Sequence, residues 1–247
     1  MEKLIIGNLK MNTLPHEFSR YLEIFLPKVK NSKNSIAFMV PFTHLMLTGQ
    51  KLVSTKVKFG AQNVSVDESG AHTGEISCSM IKDLGASFTL VGHSEVRKRF
   101  KETNEQINQK IKNALGVNLK VILCVGETKT EKNANKTAQV LKKQIDTALK
   151  GLYDNELNNI IIAYEPCWAI GTGKLPTARE IQKVIKIIRG VIEDDFSEKS
   201  AEKMIVLYGG SINQENANSI LKISGVGGLL VGGACLDANT FANICNL

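Results

Sequence analysis

Residues 159–174, Asn-Ile-Ile-Ile-Ala-Tyr-Glu-Pro-Cys-Trp-Ala-Ile-Gly-Thr-Gly-Lys, put an acid at the end of a continuous apolar run and follow it with a glycine-punctuated loop. An apolar run of this length reads as a strand at 159–164 covered on both faces, the pattern of a parallel sheet. Glu165 then stands where the strand leaves the core. Pro166 stiffens the exit, Trp168 and Ile170 give the loop an apolar underside, and Gly171 and Gly173 supply backbone freedom at its far end. An acid beneath a hinged loop suits chemistry that must exclude water.

Working outward, seven more apolar runs alternate with helical patterns. Strands are expected near 4–8, 35–40, 58–62, 87–92, 120–125, 204–208 and 228–232. Helices are expected near 15–30, 43–54, 77–85, 103–115, 130–150, 177–193, 213–222 and 237–245, with Thr43, Ser77, Thr103, Thr177 and Asn213 as N-caps. Strand-helix alternation implies a parallel sheet. Eight such units in 247 residues leave about thirty residues each, one βαβ step, and eight is the number that closes a (β/α)8 barrel. No linker or low-complexity tract divides the chain, so one domain over 1–247 is expected. An open doubly wound sheet is the alternative, but its glycine fingerprint is missing after the first strand, where Gly7-Asn8-Leu9-Lys10-Met11-Asn12 stands.

Composition narrows the function. The five cysteines are odd in number and form no C-x-x-C pair, which points away from a disulfide framework or zinc ribbon and toward a reducing cytoplasm. The N-terminal apolar run is too short for a signal peptide, and no segment reaches the length of a membrane span. The net charge of +7 suits an anionic partner. The densest basic run, 97–101, carries no nucleic-acid motif and reads as a solvated helix face, so a small anionic substrate is expected and no nucleic acid.

In a barrel the loops after the strands share one rim, and chemistry gathers there. The polar residues at these strand ends are Asn8 and Lys10, His93 with Ser94 and Glu95, Cys124 and Glu127, and Glu165. Two glycine pairs complete the rim: Tyr208-Gly209-Gly210-Ser211 after the seventh strand and Val231-Gly232-Gly233-Ala234 after the eighth. Their backbone N–H groups can approach an anion unobstructed, as in a phosphate cup. Gly173-Lys174 is no P-loop, because Leu175 replaces the required Ser/Thr.

These segments, together with Gly60-Ala61-Gln62-Asn63, Gly74-Glu75-Ile76-Ser77, Val91-Gly92-His93-Ser94-Glu95 and Cys124-Val125-Gly126-Glu127, resemble the triosephosphate isomerase family in order and over essentially the full length. The resemblance implies interconversion of dihydroxyacetone phosphate and glyceraldehyde 3-phosphate, in glycolysis and gluconeogenesis, with neither cofactor nor metal. It implies Glu165 as the base, His93 as a neutral imidazole that polarises the carbonyl, and Lys10 as the compensating charge. Asn8 would orient the oxygens, and Gly171, Ser211, Gly232 and Gly233 would hold the phosphate. Glu95 would support Lys10 or the histidine, and Cys124 would be packing. It also implies a homodimer in which the long segment Gln62–Ser77 enters the neighbouring subunit and brings Thr73 near its site. Leu9, Val96, Cys167 and Cys235 depart from the family's common Trp, Arg, Val and Ser. Another phosphate-binding barrel enzyme, or a silent barrel serving as an interaction protein, are the rival readings; an isomerisation assay separates them.

Overall fold

The computed structural model describes residues 2–247. Eight strands appear in chain order: β1 (Leu4–Asn8), β2 (Ser35–Val40), β3 (Lys58–Ala61), β4 (Phe88–Val91), β5 (Lys120–Val125), β6 (Ile160–Tyr164), β7 (Ile205–Gly210) and β8 (Gly228–Val231). Each pairs in parallel with the next, and β1 pairs with β8, which closes the barrel. The helices are α1 (Pro15–Val29), α2 (Leu45–Leu52), α3 (Cys78–Asp83), α4 (Ser94–Phe100), α5 (Asn104–Gly116), α6 (Lys129–Asn133), α7 (Thr137–Ala148), α8 (Ala178–Asp195), α9 (Glu198–Lys203), α10 (Ala217–Leu221) and α11 (Ala238–Cys245).

The two-residue period of the strands divides the core. Ile6, Met39, Leu90, Ile122, Ala163 and Leu230 belong to the cluster inside the barrel, while Ile5, Phe38, Val121, Ile162 and Leu229 pack outward against the helices. Interior crowding makes glycine obligatory at some positions. A Cβ on Gly228 would strike the Leu4 carbonyl, one on Gly60 the Phe88 carbonyl, and one on Gly126 the Glu165 carbonyl. The outer layer is richest in aromatics between α1, β2 and α11, where Phe25 stacks on Phe241 at 5.4 Å and meets Phe38 edge-on at 5.1 Å.

Caps explain most helix starts. Thr103 and Thr177 close capping boxes with Gln106 and Glu180, and Ser77 accepts the Met80 N–H. Thr43 is not a cap: a 3-10 turn over Phe42–His44 precedes α2, and His44 holds the N-cap position. Asn213 caps only a turn, accepting N–H bonds from Glu215 and Asn216 before α10 begins at Ala217. The helix expected over 130–150 is two helices, because Asn135 adopts a left-handed φ of 55° that ends the first. The short helix α9 lies outside the expected helices, and α4 takes in most of the basic run read as a helix face; neither has enough apolar residues to show a period.

Candidate active site

Parity along β6 aims the acid. Ile161 and Ala163 face the barrel interior, so Glu165, two residues on, continues that face at the rim. Its N–H extends the ladder to the Val125 carbonyl at 2.8 Å. The carboxylate fits because β7 offers no side chain there: a Cβ on Gly209 would lie 2.9 Å from Glu165 Cγ. Glu165 is 5% exposed; Oε1 lies 3.3 Å from His93 Nε2, while Oε2 is buried with no hydrogen-bond partner among the described residues.

His93 caps α4, and its Nδ1 accepts the Glu95 backbone N–H at 3.2 Å. That bond requires a lone pair on Nδ1, so in this arrangement Nε2 carries the proton and faces Glu165. Burial disfavours the imidazolium, but the Glu165 carboxylate and its hydrogen bond outweigh it and raise the histidine pKa above its ordinary value. Burial also pushes the Glu165 pKa upward, and His93 with Lys10 pulls it below the usual glutamate range. Glu165 is thus an ionised carboxylate at neutral pH.

Lys10 has a left-handed φ of 53°, a strained conformation for a non-glycine residue. The Asn8 Oδ1 accepts its N–H at 3.0 Å and the Gln62 Nε2 donates to its carbonyl at 2.9 Å, so both backbone groups are held. Its ammonium is 2.6 Å from Glu95 Oε1. Glu95 serves the lysine and the histidine together, through its carboxylate and its backbone N–H. Val96 leaves the charge of this segment to Arg97, which turns inward from the basic run. Its guanidinium donates to the Gly92 carbonyl at 2.7 Å and to Asn104 Oδ1 at 2.6 Å, so it is a strut beneath His93 and not part of a solvated face. Burial and the neighbouring Glu165 charge push the Cys124 thiol well above its ordinary pKa, consistent with packing.

The loop over the site is anchored at one end by a buried carboxylate. Glu127 Oε1 accepts from Trp168 Nε1 at 2.9 Å and from the Tyr164 hydroxyl at 3.2 Å, and Lys132 Nζ lies 3.5 Å from the Trp168 ring centroid. On its far side Ser211 Oγ donates to the Ala169 carbonyl at 2.7 Å and accepts the Gly173 N–H at 3.2 Å. Beneath lies a cleft of about 20 Å3 lined by Asn8, Lys10, His93, Glu165, Ile170 and Gly232. Of the expected phosphate ligands, Gly232 borders this cleft against the Lys10 side chain, Ser211 holds the loop, and Gly171, with φ 68°, lies on the loop's exposed edge. Gly233 opens the 3-10 turn Gly233–Leu236. Sequence reasoning missed Gln62, Arg97, Gly209 and the anchoring role of Glu127. All four stand in segments that the sequence marks out, but which groups each would meet across the barrel is not visible there.

The family model for triosephosphate isomerase matches residues 3–247. The chain belongs to the triosephosphate isomerase family. It is 42% identical to the triosephosphate isomerase of Alkaliphilus oremlandii over 98% of each chain. It is 41% identical to that of Caldanaerobacter subterraneus subsp. tengcongensis over the same shares. With that of Protochlamydia amoebophila the identity is 42%, over 98% of this chain and 92% of the other. As a triosephosphate isomerase family member the chain is an isomerase, built on the (β/α)8 barrel that its repeating units imply. Among the described residues no helix is long and apolar enough to cross a membrane.

Proposed function

We propose that this site interconverts dihydroxyacetone phosphate and D-glyceraldehyde 3-phosphate by carrying one proton between adjacent carbons through an enediolate. The observation that carries the residue roles is the Glu165 carboxylate: buried beside His93, with Oε2 unpartnered among the described residues. A carboxylate oxygen that water does not solvate has its basicity available for a carbon acid. Glu165 removes the proton beside the carbonyl and returns it to the neighbouring carbon. His93 polarises the carbonyl through Nε2–H and shuttles protons between the two oxygens. Lys10 offsets the negative charge that develops, with Asn8 orienting the oxygens. The N–H groups around Gly171, Ser211, Gly232 and Gly233 take the phosphate, whose charge suits the protein's positive field.

The reaction places the enzyme in glycolysis and gluconeogenesis, and its chemistry calls for no cofactor or metal. A coupled assay with glyceraldehyde 3-phosphate tests the activity, and solvent hydrogen incorporation into the product tests the proton route. Turnover without exchange in either direction would exclude Glu165 as a base open to solvent; absence of turnover would exclude the isomerase reading.

The homodimer reading is supported by the arm. A cleft of about 480 Å3 at the base of the Gln62–Ser77 segment has a mixed lining, with Phe42, Val64, Ile76 and Phe100 beside Asp67, Glu102 and Lys110, and Thr73 and Gly74 belong to it. Phe100, in that lining, is 74% exposed, a large apolar side chain open to a partner. A second copy's arm would cover it and bring Thr73 near the site. One domain over 1–247 is supported by the closed barrel, and a cytoplasmic location by the five cysteines, all of them free thiols.

A further inference from the structure

The opposite end of the barrel holds a cavity of about 960 Å3, and no residue of the catalytic rim lines it. Its floor is the lowest apolar layer of the strands, Leu4, Phe88 and Ile161, with Ile205 40% exposed at its side. Its rim is cationic in a regular way. Lys3 immediately precedes β1, Lys58 opens β3, Lys120 opens β5, and Lys203 lies two residues before β7. In a barrel closed in the order β1 to β8, alternate strands lie a quarter-turn apart, so these four lysines encircle the mouth. Lys56, Lys82 and Arg189 add to the same lining, against two carboxylates, Glu2 and Glu202.

The charges are not neutralised within the chain. Arg189 is spent on the backbone carbonyls of Ala201, Glu202 and Met204, Lys3 donates to the Val226 carbonyl at 2.5 Å, and Lys82 to the Asn118 carbonyl at 2.8 Å. Lys56, Lys58, Lys120 and Lys203 have no ion-pair or hydrogen-bond partner for their ammonium groups among the described residues. Gathering like charges around a concave, low-dielectric floor is unfavourable until a counter-anion enters, and the same geometry focuses the field on that anion. Several unpaired ammonium groups around one bowl fit a multiply charged ligand better than a singly charged one, and the volume is that of a small-molecule site.

We propose that this mouth of the barrel binds a compact polyanion of the polyphosphate class, at a site separate from the catalytic rim. Inorganic tripolyphosphate and ATP share the chemistry and serve as the two probes, titrated by calorimetry without divalent metal. The expected result is one site per chain whose affinity falls as salt is raised, since exposed charges are screened beyond about 10 Å at 0.1 M. The triple variant Lys58→Gln/Lys120→Gln/Lys203→Gln should lose at least tenfold in affinity while kcat/KM for glyceraldehyde 3-phosphate is unchanged, which also reports an intact fold. Tighter binding of ATP would assign the apolar floor to its base, and equal binding would assign the site to the phosphates alone. The catalytic rim also attracts phosphate, so the titration is repeated on Lys10→Ala. Loss of binding in that variant, retention of full affinity in the triple variant, or no binding of either probe would each overturn the proposal.

Discussion

Gly209 on β7 and Glu165 after β6 compete for one volume: a Cβ on the glycine would stand 2.9 Å from Glu165 Cγ and 3.3 Å from its Oε1. The carboxylate holds its place only because its neighbour has no side chain. Gly209→Ala should therefore leave the barrel folded and displace the acid by a few tenths of an ångström to an ångström. Misplacement on the order of 1 Å costs about 10²-fold in rate. Steady-state kinetics should show the loss in kcat, with KM little altered; an unchanged kcat would mean that the carboxylate tolerates the crowding.

Glu165→Asp makes the complementary error, retracting the base by one methylene. The fold should persist, and kcat should fall by about 10² while KM moves much less. Near-normal turnover would remove Glu165 from the role of base.

The pH dependence follows from the Glu165–His93 contact. Burial raises the Glu165 pKa, but His93 and Lys10 together hold it below the usual glutamate range, so its carboxylate in the free protein should titrate below that range. The linked stability has the same sign: it is present above the unfolded carboxylate pKa and is lost as pH falls through the lower folded value. His93→Gln removes the largest of the influences that lower the pKa and leaves burial, which raises it, opposed only by Lys10 and the Cys124 thiol. Carbon NMR of the labelled Glu165 carboxylate should then titrate at higher pH than in the wild type. An unmoved titration would show that the histidine does not set this charge.

Ser211 joins the loop to the rim through two hydrogen bonds. Ser211→Ala should weaken closure, lower kcat and let water reach the enediolate, so that inorganic phosphate released per isomerisation rises. Equal phosphate release in variant and wild type would dissociate this hydroxyl from closure.

Cys167 lies at the anchored end of the loop, and burial, with Glu165 and Glu127 nearby, pushes its thiol up to about 11. About one thiol in a thousand is then ionised at pH 8, so alkylation should be slow at neutral pH and accelerate about tenfold per pH unit up to that value. Peptide mass spectrometry after timed iodoacetamide exposure measures this. A rate that is flat between pH 7 and 9 would contradict it.

What could be read from the chain depended on range. The eight strands and the rim residues Asn8, Lys10, His93 and Glu165 follow from periodicity and strand-end position, which are local properties, and they converge on one cleft. The break at Asn135 is also local, but a left-handed turn inside a good helical period leaves no apolar signature. Contacts across the barrel were out of reach. A basic run without a nucleic-acid motif reads as solvated throughout, Arg97 included, and only the fold reveals the Gly92 and Cys124 carbonyls that Arg97 meets. The roles of Gln62 and Gly209 likewise depend on Lys10 and Glu165, which are distant in sequence.

The glycines at 60, 126 and 228 touch no substrate, yet each faces a backbone carbonyl that no side chain can pass. In a selection for growth on a carbon source that demands this enzyme, all three positions should reject every replacement, alanine included. A genetic map would then show, besides the cluster of inactivating positions around Glu165, Gly60 and Gly228 set toward the other end of the barrel. Those scars would record where strands nearly touch, and mistaking them for catalysis would misplace the chemistry.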